Sequence, residues 1–380
     1  MTLTPGAAAA VALAIAGPAR YAADADGVSL AGGWQVALPG VSQLAAGDDL
    51  VVAAIAGTGD VAGLPGGLRG EPGAALVALG AADGQRRWGL GVGATAWASI
   101  RAVAVTGDAV LVAGAFAGTL RIGDRVLTSA GSVDGFWAVV GHDGSVRGAW
   151  RMGGPGADAV AGVAALADGR LALAGTYSGA ADLGDVALAP LFTDADASDG
   201  FVAVIDGAGA VAWARAWGGP TVDACAGVAA STDGLVVAGT VRGPIDVAGR
   251  RLDAGTGDGL VAFFDGRGAV RGAVLVGGTD FDGLTAVAAG GGQAVVAGFY
   301  AGTITGPGAP LVAAGGDDPL LAVVTPAGVQ GYLPVIAAGA AAIRGLTADA
   351  TGWAALVTGA GSVTVDGRPA AAGTVISRRW

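Results

Sequence analysis

The sequence predicts an all-β chain: a six-bladed β-propeller of four-stranded blades, closed by an N-terminal strand that completes the last blade. Three observations lead there. First, a small-residue step inside an apolar strand recurs as Leu111-Val112-Ala113-Gly114, Leu173-Ala174-Gly175, Val237-Ala238-Gly239, Val296-Ala297-Gly298 and Val357-Thr358-Gly359. Its glycines are 61, 64, 59 and 61 residues apart. Second, an acid or its equivalent opens another apolar strand at Asp134-Gly135-Phe136, Asp199-Gly200-Phe201, Asp258-Gly259-Leu260 and Asp318-Pro319-Leu320, with the aspartates 65, 59 and 60 apart. Third, Asp-Gly turns fall between the apolar runs at Asp83-Gly84, Asp143-Gly144, Asp168-Gly169, Asp233-Gly234 and Asp265-Gly266. Two anchors that share one period mark a repeat architecture, and four strands per unit at that period mark a propeller.

The elements follow in order from one copy. Val160–Leu166 is apolar and ends at the Asp168-Gly169 turn; Leu171–Tyr177 follows. After a longer connection come Phe201–Ile205, a turn at Asp206–Gly209, and Val211–Trp217. Asp-Gly suits tight hairpins because both residues tolerate positive φ. Runs of Val, Ile, Leu and Ala this short read as buried strands rather than helices. The expected blades are 41–93, 94–154, 155–219, 220–278, 279–339 and 340–380. Only 21 residues follow Gly359, so the last blade lacks a strand. The segment 26–40, with its Asp26-Gly27 turn and apolar Val28–Leu38, is expected to supply it and so remove two free sheet edges. Residues 26–380 then form one domain.

Residues 1–25 read as a leader or a disordered segment. Gly6–Gly17 is too short to cross a membrane. It suits the core of a signal peptide with Ala23-Asp24-Ala25 as a small-residue cleavage site, although no basic residue precedes it. Leu320–Ile343 carries no charge but is interrupted by Pro326, Gly328, Gly331 and Pro334, which assigns it to strands and turns. Gly is 73 of 380 residues and 53% are hydrophobic, enough to bury every blade. The net charge of −11 argues against nucleic acid and anionic membranes, which select a basic face. The single cysteine, Cys225, excludes an intrachain disulfide and reads as a buried apolar group.

The repeat's wording resembles the bacterial SBBP-type β-propeller-repeat proteins. The matching stretches are Gly-Thr-Tyr-Ser-Gly-Ala-Ala-Asp-Leu-Gly at 175–184, Ser-Asp-Gly-Phe-Val-Ala-Val-Ile-Asp at 198–206 and Ala-Trp-Ala-Arg-Ala-Trp-Gly-Gly at 212–219, echoed at 114–123, 133–140 and 151–154. The resemblance covers roughly 26–380 and implies an exported or surface-associated protein, in the periplasm, on the cell surface or secreted; a cytoplasmic chain is the alternative. It names no substrate.

In a propeller the connection between strands two and three and the loop between blades emerge on one side. Here these are the long connections, so binding residues are expected there. Asp158, Asp223 and Asp282 recur where blades begin, and Trp97 is read into that position in the second blade. Two readings stand: a polar, aromatic-rimmed channel mouth for a ligand, or acids that bind backbone amides of their own loops. Recurrence favours the second. The long connection of the third repeat contains Asp194, Asp196, Ser198 and Asp199. Alternating oxygens before a glycine resemble a calcium loop, so the cofactor expectation is none, or Ca2+ at these four residues.

No catalytic residue is assigned. One histidine, His142, sits in a hairpin turn. The usual zinc, Ser-His-Asp and Cys-His sites cannot be assembled around it. Trp34, Trp88, Trp150, Trp213 and Trp217 read as packing between blades or, alternatively, as a sugar-binding surface. The sequence therefore reads as a non-catalytic, monomeric scaffold or binding module with a protein or glycan partner. A polysaccharide-acting hydrolase or lyase using paired Asp, with Ca2+ assistance, is the alternative.

Overall fold

The computed structural model describes residues 12–16, 19–23, 27–30, 33–38, 40–58, 71–192, 197–314, 316–337, 341–359, 363–365, 368–370 and 374–380. The fold is an all-β propeller, and it has seven blades, not six. Residues 12–37 do not complete the last blade. They form a sheet of their own, Ala12–Ala16, Ala19–Ala23, Gly27–Leu30 and Gln35–Ala37, paired antiparallel in that order. The segment expected to close the ring is therefore the outer half of a first blade, and part of the presumed leader is its inner half. The last blade keeps three strands, Ala341–Ala348, Gly352–Gly359 and Thr374–Arg379.

Between them lie five sheets that follow the repeat. The second blade is Val41–Ala46, Leu50–Thr58, Pro72–Gly80 and Arg86–Ala94; the third is Trp97–Val105, Ala109–Ala117, Asp134–Gly141 and Val146–Gly153. The fourth is Ala159–Ala165, Leu171–Tyr177, Asp199–Ile205 and Val211–Gly218. The fifth is Ala224–Ser231, Gly234–Val241, Asp258–Asp265 and Val270–Val276, and the sixth Gly283–Gly290, Gln293–Tyr300, Asp318–Thr325 and Gly328–Tyr332. The chain divides into two compact units, one built on Val11–Pro190 with Ala203–Ala212, the other on Leu191–Val202 with Trp213–Trp380.

Strand counts vary because the long connection inside a blade is itself a hairpin. Thr119–Ile122 and Arg125–Thr128 form one such hairpin, and Leu120 pairs with Ala94 on the outermost strand of the preceding blade. Ala181–Leu183 pairs likewise with Met152 and Gly153, and Pro244–Val247 with Trp217 and Gly218. Each hairpin thus covers the outer edge of the blade before it.

Apolar strands bury both faces where a blade packs between two neighbours of its own unit. Within the first unit Val51, Ala53 and Ile55 face the first blade, while Val52 and Ala54 pack with Val110, Val112 and Phe136 of the third. Within the second unit Val296 packs against the fifth blade and Val295 and Ala297 against the seventh. Successive residues of a strand point to opposite faces, so a strand buried on both sides reads as a continuous apolar run. The anchor glycine has its own cause. A β-bulge lies beside Gly114, Gly239 and Gly298, and a Cβ there would run into the carbonyl of Ser99, Ala224 or Gly283 across the ladder.

Candidate functional site

The recurrent aspartates meet where one blade hands the chain to the next. Asp158 is buried, and its carboxylate accepts the amides of Gly154 at 2.8 Å and Ser178 at 3.0 Å. Asp223 accepts Gly219 N at 2.6 Å and Arg242 N at 2.9 Å; Asp282 accepts Gly278 N at 2.6 Å and Ala301 N at 2.9 Å. The backbone N–H of each donates to a carbonyl of the preceding blade: Val133 for Asp158, Ser198 for Asp223 and Gly257 for Asp282, at 2.8–2.9 Å. One residue therefore ties together three pieces of chain: the blade before, the loop between blades, and the connection leaving the second strand of the blade after. Trp97 does not share this position. The ladder aligns Ile100 with Val160, Cys225 and Leu284, so Ala98 stands where the others have Asp. Trp97 aligns with Ala157, Val222 and Phe281, one residue earlier, and is 41% exposed.

The other recurrent acid closes the connection within its own blade. Asp134 accepts Ala130 N at 2.8 Å, Asp199 accepts Leu191 N at 3.0 Å, and Asp318 accepts Ala314 N at 2.7 Å. The two acids of a junction lie 24 residues apart in all three copies: Asp134 and Asp158, Asp199 and Asp223, Asp258 and Asp282. Both turn toward one glycine. A Cβ on Gly153 would lie 2.9 Å from Asp134 Oδ1 and 2.8 Å from Asp158 Oδ2; on Gly218 it would meet Asp199 Oδ1 and Asp223 Oδ2, and on Gly277 Asp258 Oδ1 and Asp282 Oδ2. Only a residue without a side chain leaves room for both carboxylates. Burial pushes Asp158, Asp223 and Asp258 up to about 6, and raises Asp199 and Asp282 as well; for Asp158, Asp223 and Asp258 the partner acid adds to the rise.

Of the residues read as a calcium loop, Asp194 and Asp196 lie outside the described residues. Ser198 donates its hydroxyl to Asp223 O at 2.9 Å, and Asp199 belongs to the junction just described. Burial pushes the Cys225 thiol up to about 12, leaving it a packed neutral group. His142 Nε2 is 3.1 Å from Thr106 O, within its own blade. The tryptophans join blades. Trp34 donates to Ala81 O at 3.0 Å, Trp88 to His142 O at 2.8 Å, and Trp213 to Gly266 O at 3.1 Å, each reaching the outer hairpin of the following blade.

Sequence reasoning missed a set of apolar side chains on the long connections. Leu191 and Phe192 are each 42% exposed and Val222 is 56% exposed. Their two loops are tied by the Ser198–Val222 bridge, and the Leu191 amide closes the first of them on Asp199. The signal was present as Leu191 and Phe192 following Pro190 and Val222 two residues after Pro220, in connections that carry no other large apolar residue.

No protein-family model matches the chain, and no curated protein matches it. Among solved structures it is similar to Pyrococcus horikoshii acylaminoacyl peptidase (uncomplexed), at 10% identity and a TM-score of 0.50, over 96% of this chain and 52% of that one. It is also similar to the computationally designed Ika8 protein, at 15% identity and a TM-score of 0.44, over 96% of this chain and 98% of that one. The chain thus spans about half the length of the peptidase it matches. The likeness is one of fold: a β-propeller. Among the described residues no helix is long and apolar enough to cross a membrane.

Proposed function

We propose that this chain is a non-catalytic scaffold or binding module that meets a protein or glycan partner through its long connections. The observation that carries the reading is the division of labour among those connections. The recurrent acids Asp158, Asp223 and Asp282 are occupied by backbone amides. The apolar Leu191, Phe192 and Val222 are left to solvent on two tied loops. An enzyme would instead hold carboxyls aimed into a cleft with nothing to do but chemistry. Exposed apolar groups at loop tips suit a partner's surface. The repeat's resemblance to SBBP-type propellers supports an exported or cell-surface setting for such a module.

The test is a panel of glycans and of the producing cell's envelope proteins, screened against the wild type and a Leu191→Ser/Phe192→Ser/Val222→Ser variant. Binding that is lost in the variant at an unchanged melting temperature supports the reading. Turnover of a polysaccharide by the wild type, lost in Asp223→Asn, would overturn it.

A further inference from the structure

Of the hairpins that cover the outer edge of the blade before them, one is built differently at its tip. Thr119–Ile122 and Arg125–Thr128 turn through Gly123-Asp124, and Ala181–Leu183 and Val186–Leu188 through Gly184-Asp185. Pro244–Val247 and Arg250–Asp253 turn through Ala248-Gly249, and the acid is gone. The covered strand differs too. Ile122, Leu183 and Val247 meet Val92, Met152 and Trp217. Two residues back along those strands stand Leu90, Trp150 and, in the third copy, Arg215. The same ladders make Arg125 and Arg250 equivalent, since they face Ile122 and Val247. Arg125 has the acid of its own turn beside it, Nε lying 3.5 Å from Asp124 Oδ1. Among the described residues no ion pair reaches Arg215 or Arg250.

These two arginines line one open notch of about 460 Å³, together with residues 248–249 of the hairpin tip and 268–270 of the fifth blade. That is room for a small molecule. No acid lines it. The acids of the flanking turns face backbone instead: Asp246 Oδ1 accepts Gly249 N at 2.7 Å, and Asp265 Oδ1 accepts Arg267 N and Ala269 N, each at 2.9 Å. Arg215 is half-buried and held in place. Its Nε donates to Gly268 O at 3.1 Å, its Nη1 to Ala214 O at 2.7 Å, and the guanidinium lies 5.8 Å from the centre of the Trp213 ring. Nη2 is left without a partner among the described residues. A guanidinium fixed in advance loses little freedom when an oxyanion meets it.

We propose that this notch binds an acidic sugar, whose carboxylate or sulfate is taken by Arg215 and Arg250. Charge-assisted bonds to a guanidinium are the strong ones, and its fork matches either group. The rest of the lining is Ala, Gly and Val. Such small residues leave room for a ring, bring backbone polar groups within reach of its hydroxyls, and offer no wall for a large apolar side chain. The net charge of −11 repels an extended polyanion, so one oxyanion at the end of a saccharide fits best. The site shares no lining residue with Leu191, Phe192 and Val222, and does not depend on them.

Trisaccharides ending in a glucuronate, a sulfated galactose or a neutral galactose are titrated calorimetrically into the full chain at low salt. The wild type is expected to bind one or both acidic ligands and not the neutral one; which acidic ligand binds identifies the group. Arg250→Ala, at an exposed position, and Arg215→Gln, which keeps a donor but removes the charge, should each weaken binding by about tenfold or more. Should Arg215→Gln fail to fold, Arg250→Ala decides alone. Arg251→Ala, next along the hairpin but outside the lining, should leave binding unchanged, and so should Leu191→Ser/Phe192→Ser/Val222→Ser. Absence of binding to both acidic ligands overturns the proposal, as does equal binding of the neutral one or undiminished binding in Arg250→Ala. An equal loss in Arg251→Ala overturns it too, by assigning the effect to diffuse charge. A loss in the triple variant overturns it by moving the sugar to the long connections, and would support the binding role proposed for them.

Discussion

Trp88 donates its indole N–H to the carbonyl of His142, 2.8 Å away and 54 residues on, and lays its ring over Gly144 in the same turn. The outer strand of one blade is thus fastened to the outer hairpin of the next. Trp34 over Gly84 and Trp213 over Gly268 repeat the contact. Where the register puts Gly148 in place of this tryptophan, Trp150 folds back over Gly148 and reaches Gly209 instead. Replacing Trp88 by Ala is expected to destabilise the fold by about 2–4 kcal/mol, through lost packing and an unpaired carbonyl. Trp88→Phe should recover most of the packing share. Denaturant midpoints of the two variants measure the difference.

Asp158→Ala, Asp223→Ala and Asp282→Ala should each cost about 1–3 kcal/mol, since two amides lose their acceptor while an ionised buried group is removed. The costs should be similar in the three copies, because the bonds are. Trp97→Ser, at the position one residue earlier, is expected to stay within about 0.5 kcal/mol of wild type, as exposed substitutions do. Thermal melts of the four variants check both statements.

Acid should stabilise this chain before it denatures it. Burial holds Asp158, Asp223 and Asp258 at about 6 in the fold, against an ordinary carboxylate value of about 4 in the unfolded chain. Between those values the folded state binds more protons than the unfolded. Their contribution is therefore complete below about 4 and is lost as pH rises through about 6. The exposed Asp83, Asp108, Asp143, Asp168 and Asp265 are lowered by their own hydrogen bonds, so their share disappears only on the acid side of that window. In chelator, the urea midpoint should climb as pH falls from about 7 to about 5. Asp223→Asn should flatten the climb; a wild-type midpoint that is level or falling over that range would refute the effect.

The period, the strand order within a blade and the Asp-Gly turns were legible because each is a local steric demand that recurs along the chain, the Asp-Gly turns in the second to fifth blades. The number of blades was not. The first sheet has strands of five, five, four and three residues and lacks the small-residue step, so the repeat does not announce it. Its opening strand, Ala12–Ala16, falls inside an apolar run that a signal peptide would explain equally well. In the last blade the bulge pairs Val357 with Ile343, so Val357 and not Gly359 stands where Gly114 does. The extra hairpins were hidden by strands of three or four residues, although two-residue turns such as Gly184-Asp185 and Ala248-Gly249 mark them; Ala248 itself has φ 49°. Of the site, Asp158, Asp223 and Asp282 were found by recurrence, and so was their bonding to backbone. Their pairing with Asp134, Asp199 and Asp258 across a glycine was not, because nothing local ties residues 24 apart.

The most direct measurement is amide hydrogen exchange at Gly219 and Arg242 in the wild type and in Asp223→Ala. The two amides lie 23 residues apart in sequence and meet on one carboxylate. Exchange that is slow at both in the wild type and rises at both together in the variant is the outcome expected if a single aspartate joins the pieces of the junction. Protection that persists at either amide after the carboxylate is gone would contradict it.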